Sequence, residues 1–181
     1  MKIRTRFAPS PTGFLHIGGL RTALYNYLYA KKYNGQFILR IEDTDQKRLI
    51  KDATENLQST LEAYGLQYDE GPGSEGTVGP YIQSQRLNLY KKYALKLIKD
   101  GTAYVCFQDT LESEKLIPEL NIDNALQRIN NELYVIKLKM LQNKVLTVKD
   151  AVRGEISFDL NLIDDFIIIK SDGFPTYHFA N

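Results

Sequence analysis

The stretch from Arg6 to Gly19 combines cationic, hydroxyl and imidazole side chains with closely spaced prolines and glycines: R-F-A-P-S-P-T-G-F-L-H-I-G-G. It follows a predicted strand and opens a predicted helix. The start of a helix exposes unpaired N–H groups and the positive end of its dipole, and Gly18 and Gly19 would let a bulky anion approach the backbone. In open α/β sheets the ligand lies beyond the carboxyl ends of the strands, where Arg6, Ser10 and His16 would converge. The stretch predicts a phosphate site; the simpler alternative is a proline-stiffened loop with a surface histidine.

A strand, a helix and a second strand must position this loop. Residues 2–7 alternate apolar and basic side chains with the period of two that a strand requires. Apolar residues at helical spacing then predict a helix from about Gly19 to Tyr33, with a stop signal at Asn34-Gly35. The apolar run in residues 37–41 is typical of a strand buried on both faces of a parallel sheet. We therefore expect an α/β fold with a parallel sheet.

Two further helices are indicated by the same spacing, over residues 50–64 and 87–98. The segment between them, residues 68–76, is rich in turn formers and carboxylates, and we expect it to be an exposed connection. Glycine follows each helix, as is common where a helix ends.

The pattern changes beyond Gly101. β-rich runs predict strands over residues 103–107, 133–138, 155–160 and 166–170. Asp109 and Glu112 resemble a capping box that opens a short helix. We interpret residues 101–165 as an α+β insertion, after which residues 167–181 re-enter the first domain as a parallel strand followed by the start of a helix.

The length and composition of the chain limit the classes of protein to which it can belong. The chain has 181 residues, enough for one core or for one core with an appended module. Its 23 basic and 22 acidic residues give a net charge of +1, so bulk charge does not argue for nucleic-acid binding. No apolar run has the ~20 residues of a membrane span, and no signal-peptide core follows the amino terminus, so we expect a cytoplasmic protein. The single cysteine, Cys106, excludes an intramolecular disulfide.

The stretch Arg6–Gly19 resembles the H-I-G-H signature loop of the class I aminoacyl-tRNA synthetases, and its A-P-S-P-T-G form is similar to the glutamyl members. The similarity continues in four further blocks: Arg21-Thr22-Ala23-Leu24-Tyr25-Asn26, Arg40-Ile41-Glu42-Asp43-Thr44-Asp45, Gly79-Pro80-Tyr81, and Lys170 to Asn181. Residues 101–165 match only loosely. The fourth signature position is Gly19 instead of histidine, so His16 alone would carry the role of that pair.

The resemblance implies a Rossmann-like nucleotide-binding half-domain over residues 1–100, an acceptor-stem-binding insertion over residues 101–165, and a truncated return to the catalytic domain over residues 166–181. The usual K-M-S-K-S loop and anticodon-binding domain would lie beyond Asn181. We therefore expect the isolated chain to be inactive.

The resemblance also assigns site residues. Those implied to contact glutamate are Arg6, Ser10, Glu42 (at the α-ammonium group), Tyr177 and Asn181. Those implied to bind ATP are Thr12, Gly13, His16, Gly18 and Gly19, with His16 the candidate catalytic residue. The alternatives are that the carboxylates of residues 42–45 form a solvated turn and that Tyr177 packs in a core.

The implied reaction activates L-glutamate with ATP, accompanied by Mg²⁺, and transfers the glutamyl group to tRNA(Glu). A monomer is expected, with no membrane partner. Some relatives begin a zinc site with a Cys-x-Cys pair, but this chain reads Cys106-Phe107-Gln108, so we expect no zinc. His178 is expected to be a hydrogen-bonded structural residue.

Three alternatives stay open. A glutaminyl enzyme is disfavoured by the motifs at residues 8–13 and 42–45. A shortened paralogue that acts on a modified tRNA base is disfavoured because it usually has a cysteine-rich zinc module, whereas this chain has one cysteine. A non-catalytic RNA-binding module is disfavoured because Arg6, Ser10, His16 and Glu42 are all present.

Overall fold

The computed structural model describes residues 3–74, 76–108 and 116–181. The chain divides into two compact units, Met1–Asn88 and Leu89–Asn181. The α-helices are α1 (Ile17–Lys32), α2 (Ala53–Ala63), α3 (Leu87–Lys99), α4 (Ile122–Arg128) and α5 (Tyr177–Ala180). The strands are β1 (Arg4–Phe7), β2 (Gln36–Leu39), β3 (Ala103–Gln108), β4 (Leu116–Glu119), β5 (Tyr134–Leu138), β6 (Val145–Asp150), β7 (Gly154–Asp159) and β8 (Phe166–Ile169). No helix in these ranges is long and apolar enough to cross a membrane.

The first unit begins with the predicted strand–helix–strand arrangement. β1 and β2 are parallel, in a register that sets Arg4 opposite Gln36 and Phe7 opposite Leu39, and α1 connects them. Arg4 on β1 is exposed whereas Phe7 is buried, as the period-two pattern predicts. The expected α/β fold with parallel strands is confirmed.

The core of this unit lies on one face of the two-stranded sheet. Its buried members are Phe7, Phe37, Leu39 and Ile41 from the strand segments, Ala23 and Ala30 from α1, and Leu57, Leu61 and Leu66 from α2 and the residues after it. The two alanines let α1 approach the sheet closely. Burying each large apolar side chain contributes about 1.5–3 kcal/mol, and this packing holds the loop between β1 and α1 above the sheet edge.

The exposed connection predicted over residues 68–76 is only partly confirmed: Asp69, Gly73 and Gly76 are exposed, whereas Glu70 and Gly71 are buried. The N–H of Leu39 donates to the carbonyl oxygen of Glu70 at 2.9 Å, and Glu70 forms an isolated parallel bridge with Ile38. The Asp69 carboxylate also accepts a hydrogen bond from the N–H of Phe37 at 2.8 Å. Glu70 is buried as a result. The physical reason is that the outer edge of β2 needs hydrogen-bond partners, and this segment supplies them.

The second unit contains an antiparallel sheet in the order β4-β3-β5-β8 and a separate β6–β7 hairpin. β8 pairs antiparallel with β5, with Leu138 opposite Phe166. The expectation that residues 167–170 re-enter the first domain as a parallel strand is therefore wrong. A short apolar run shows that a strand is buried, here at Ile168 and Ile169, but does not show which strand it pairs with. The helix start expected after it is present as α5.

Other elements of this unit were only partly predicted. The strands over 103–107, 133–138 and 155–160 are confirmed within a residue or so as β3, β5 and β7. α4, β4 and β6 were not predicted; α4 is short and begins at Asn121, whose side chain accepts a hydrogen bond from the N–H of Asn124 at 3.0 Å. The capping box predicted at Asp109 and Glu112 lies outside the described residues.

Candidate active site

His16 is the amino-terminal cap of α1. Its Nδ1 accepts a hydrogen bond from the N–H of Gly18 at 3.1 Å, and its carbonyl oxygen accepts one from Leu20 at 3.0 Å. An imidazole nitrogen that accepts carries no proton, so in the neutral ring the proton lies on Nε2. The side chain is exposed. His16 can therefore offer an Nε2–H donor to an anion at the start of the helix while Nδ1 holds the first turn.

The two glycines at the helix start have little room for a side chain. A Cβ at Gly19 would lie 2.7 Å from Leu15 Cδ1, and one at Gly18 would lie 3.0 Å from His16 Cε1. A Cβ at Gly13 would meet nothing within 4 Å. A side chain at either position would therefore require Leu15 or His16 to move, and at Gly18 the residue that moves would be the helix cap. Because the Gly18 N–H is used by His16, it is not one of the groups that face a ligand.

The loop after β1 is held by backbone hydrogen bonds. The N–H of Thr12 donates to the carbonyl oxygen of Ser10 at 2.8 Å, and Pro11 accepts from Ile50 at 3.0 Å. Ser10 is exposed and Thr12 is half-buried. The loop is therefore a fixed turn that presents the Ser10 side chain to the surroundings.

Glu42 lies beside this loop because the parallel pairing continues past the assigned strands. The N–H of Arg40 donates to Phe7 at 3.0 Å, and that of Glu42 donates to Pro9 at 2.9 Å. These bonds keep the register in which Phe7 lies opposite Leu39, so Ser10 falls beside Glu42. Alternation along the two strands also places Arg6 and Glu42 on the same face of the sheet, opposite the core.

The carboxylates after β2 do not form a solvated turn. Glu42 is 6% exposed and Asp43 is 8% exposed. An Asp43 Oδ1 atom accepts a hydrogen bond from the N–H of Ser84 at 2.8 Å, and Arg40 Nη2 lies 2.5 Å from Glu42 Oε1. Two buried acids with specific partners indicate a built site, and the sequence alternative of a surface turn is wrong for both residues.

A second cluster, formed by exposed Arg4 and the buried residues Glu70 and Tyr81, lies on the same face of the sheet. Arg4 contacts both oxygens of Glu70, at 2.8 and 2.9 Å, and the Tyr81 hydroxyl donates to Glu70 as well. The hydrogen bond from Tyr81, followed by those from Arg4, holds the pKa of Glu70 below its usual value although burial acts in the opposite direction. Burial, followed by the hydrogen bond to Glu70, raises the pKa of Tyr81. Sequence reasoning missed this cluster because its members come from three separate segments.

Tyr177 and Asn181 belong to the second unit. Tyr177 is 59% exposed at the start of α5, so the alternative that it packs in a core is wrong. The N–H of Asn181 donates to the carbonyl oxygen of Tyr177 at 3.3 Å. The His178 ring is exposed and lies edge-on to Phe166 and Tyr177, with centroid distances of 6.3 and 5.6 Å.

The described ranges contain no group of three or more His, Cys, Asp or Glu side chains placed to hold a metal ion. Cys106 is 2% exposed inside β3, and burial raises the pKa of its thiol. The cysteine is therefore a buried side chain of the antiparallel sheet.

The parallel β1–α1–β2 arrangement, the capped helix start and the buried Glu42 carboxylate define an α/β protein with a candidate ligand site beyond the ends of the strands. The model of the family "tRNA synthetases class I (E and Q), catalytic domain" matches residues 2–181, and the chain belongs to that family.

Within this family, the chain is similar to several glutamate–tRNA ligases. The chain is 52% identical over 206 residues to the glutamate–tRNA ligase of Finegoldia magna, covering 99% of this chain and 42% of that protein. It is 48% identical over 204 residues to the glutamate–tRNA ligase of Chlorobaculum parvum, covering 99% of this chain and 40% of that one. A crystal structure of a glutamate–tRNA ligase from Elizabethkingia meningosepticum, in complex with its amino acid, superposes with a TM-score of 0.87 at 38% identity, over 100% of this chain and 41% of that chain. The chain thus spans about two fifths of the length of the relatives it matches.

Proposed function

We propose that this chain forms the glutamate- and ATP-binding part of a glutamate–tRNA ligase, which converts L-glutamate to glutamyl-adenylate and transfers it to tRNA(Glu). The observation that carries the proposal is the buried Glu42 carboxylate, fixed by backbone hydrogen bonds beside the loop that follows β1. A zwitterionic substrate needs opposite charges close together, and Arg6 lies on the same face of the sheet. The names of the similar proteins support the same substrate.

In this proposal Glu42 receives the α-ammonium group of glutamate, and Arg6 and Ser10 contact its carboxylates. Tyr177 and Asn181 are proposed as further glutamate contacts, as the family motif implies. An arginine facing the neutral amide of glutamine would lose a charge-assisted hydrogen bond worth about 1.5–3 kcal/mol. This preference favours glutamate over glutamine.

ATP would bind at the start of α1. His16 would donate from Nε2 to a phosphate oxygen, and the residues around it, Thr12, Gly13, Gly18 and Gly19, would shape the loop. The glutamate α-carboxylate would attack the α-phosphorus of ATP and displace pyrophosphate, and this step needs no protein nucleophile. Positioning and stabilisation of phosphate charge by N–H groups would supply the catalysis. Mg²⁺ is proposed as part of the ATP substrate complex.

Acceptor-stem binding by residues 101–165 is also a proposal, as is the assignment of residues 1–100 to the catalytic domain. The return of residues 166–181 to that domain is a proposal from the family resemblance, and the pairing of β8 with β5 does not support it. The monomeric state, the cytoplasmic location and the lack of zinc are predictions from the sequence.

The test is ATP–pyrophosphate exchange by the full-length gene product in the presence of tRNA. Exchange that depends on glutamate and not on glutamine supports the proposal. Exchange with glutamine alone would indicate the glutaminyl enzyme. No exchange with either amino acid, despite tRNA binding, would indicate the non-catalytic module.

A further inference from the structure

The family motifs do not assign Arg40 to substrate binding. Arg40 nevertheless contacts Glu42, which the resemblance assigns to the α-ammonium group of glutamate. Its Nη2 atom lies 2.5 Å from Glu42 Oε1. The side chains are 13% and 5% exposed, so the ion pair is removed from most of the surrounding water. Burying a carboxylate is costly unless a cation or hydrogen-bond donors replace its lost contacts with water. Arg40 is such a partner for Glu42.

The contact uses one carboxylate oxygen. Within the described part of the chain, the hydrogen bond that the structure gives the Glu42 side chain is the one from Arg40 to Oε1. A carboxylate has about four acceptor positions on its two oxygens. The pair therefore leaves Oε2 to accept from an ammonium group while Oε1 is held by Arg40.

The pair is rigid as well as buried. Both members are tied by their backbone N–H groups to the segment leaving β1, Arg40 to Phe7 and Glu42 to Pro9. Arg40 and Glu42 are two residues apart on an extended segment, so their side chains share one face. The contact with Arg40 therefore restricts the plane of the Glu42 carboxylate, with one oxygen toward Arg40 and the other away from it.

We propose that Arg40 is a positioning residue that holds one oxygen of the Glu42 carboxylate and orients the second oxygen toward the α-ammonium group of glutamate. The inference deepens the proposed function and rests on it. Arg40 acts through Glu42 and has no contact with substrate of its own in this assignment.

The test compares Arg40→Gln and Arg40→Lys in the full-length gene product by tRNA-supplemented ATP–pyrophosphate exchange. Arg40→Gln is expected to raise the KM for glutamate about tenfold or more, as loss of a charge-assisted interaction does, with a much smaller change in the KM for ATP. Arg40→Lys keeps the charge and is expected to recover part of the affinity. In a double variant, Arg40→Gln is expected to add little to Glu42→Gln, since both remove the same interaction.

Arg4→Gln is the matched control. It breaks another arginine–glutamate pair of the same unit, between Arg4 and Glu70, whose glutamate is equally buried at 5% exposure. A purely structural role for Arg40 predicts that the two variants lose thermal stability with no selective change in the KM for glutamate, and that result would overturn the inference. Independent, additive effects of Arg40 and Glu42 would overturn it too. If the wild-type protein shows no glutamate-dependent exchange, it is the proposed function that fails.

Discussion

The N–H of Glu42 donates to the carbonyl oxygen of Pro9 at 2.9 Å. This bond extends the pairing of two parallel strands into the loops that follow them. It brings the carboxylate after β2 next to the proline–serine turn after β1. Two segments that are more than thirty residues apart in the sequence thereby form one side of the candidate site.

Replacing Glu42 with glutamine tests the proposed ammonium site. The amide keeps the size of the side chain but removes its charge, so the interaction with the α-ammonium group weakens by about 1.5–3 kcal/mol. We expect kcat/KM for glutamate to fall by roughly ten- to a hundredfold. An unchanged KM for glutamate in a folded Glu42→Gln protein would remove this residue from the site.

Two variants at His16 separate the cap of α1 from the phosphate contact. His16→Ala removes the hydrogen bond to Gly18 and is expected to cost about 1 kcal/mol of the free energy of unfolding. His16→Asn can cap the helix but has no imidazole, so it should recover stability without recovering exchange activity. Urea unfolding and ATP–pyrophosphate exchange measure the two effects. Full activity in His16→Asn would show that the cap alone accounts for this residue.

The Arg4–Glu70–Tyr81 cluster predicts an acid-sensitive stability. The pKa of Glu70 is lower in the folded chain than its ordinary value of 4.5. The stabilisation is therefore present above that value and is lost as the pH falls through the folded-state pKa. We expect Glu70→Gln to be less stable than wild type at pH 7, and the difference to shrink as urea unfolding is repeated at acidic pH. A difference that is constant with pH would show that the charge of Glu70 contributes nothing.

Gly35→Ala is expected to destabilise the first unit. A Cβ at this position would lie 2.4 Å from the carbonyl oxygen of Ile3, which is backbone and already accepts a hydrogen bond from Gln36. Relief requires a backbone shift next to the β1–β2 pair, at a cost of roughly 1–3 kcal/mol. Gly13→Ala, where no atom lies within 4 Å of the added carbon, is the control for stability. Equal unfolding midpoints for the two variants would contradict the prediction.

The first unit could be predicted from the sequence because its signals are local. Period-two alternation in β1, helical spacing in α1 and the apolar run of β2 each arise within one element, and all three are confirmed. α1 begins at Ile17, two residues earlier than predicted, because His16 caps it with a side chain that is not a usual cap.

Pairing between distant segments could not be predicted in the same way. The apolar run of β8 carries no information about its partner, and it joins β5 in antiparallel orientation. The glycine-rich segment around Glu70 has the composition of a surface loop, but the unpaired edge of β2 draws it inward. The contact between Arg40 and Glu42 depends on burial, which a six-residue motif does not show.

The hydrogen bond from Glu42 to Pro9 fixes the pairing of the segments that follow β1 and β2, and this pairing limits insertions and deletions there. Side chains alternate along an extended segment, so one inserted residue between Leu39 and Glu42 would turn the carboxylate toward the apolar core side of the sheet. A deletion of one residue would do the same. Homologous sequences should therefore keep the number of residues between Leu39 and Glu42 constant, whereas the β6–β7 hairpin, which forms a separate two-stranded sheet, is expected to accept changes in length.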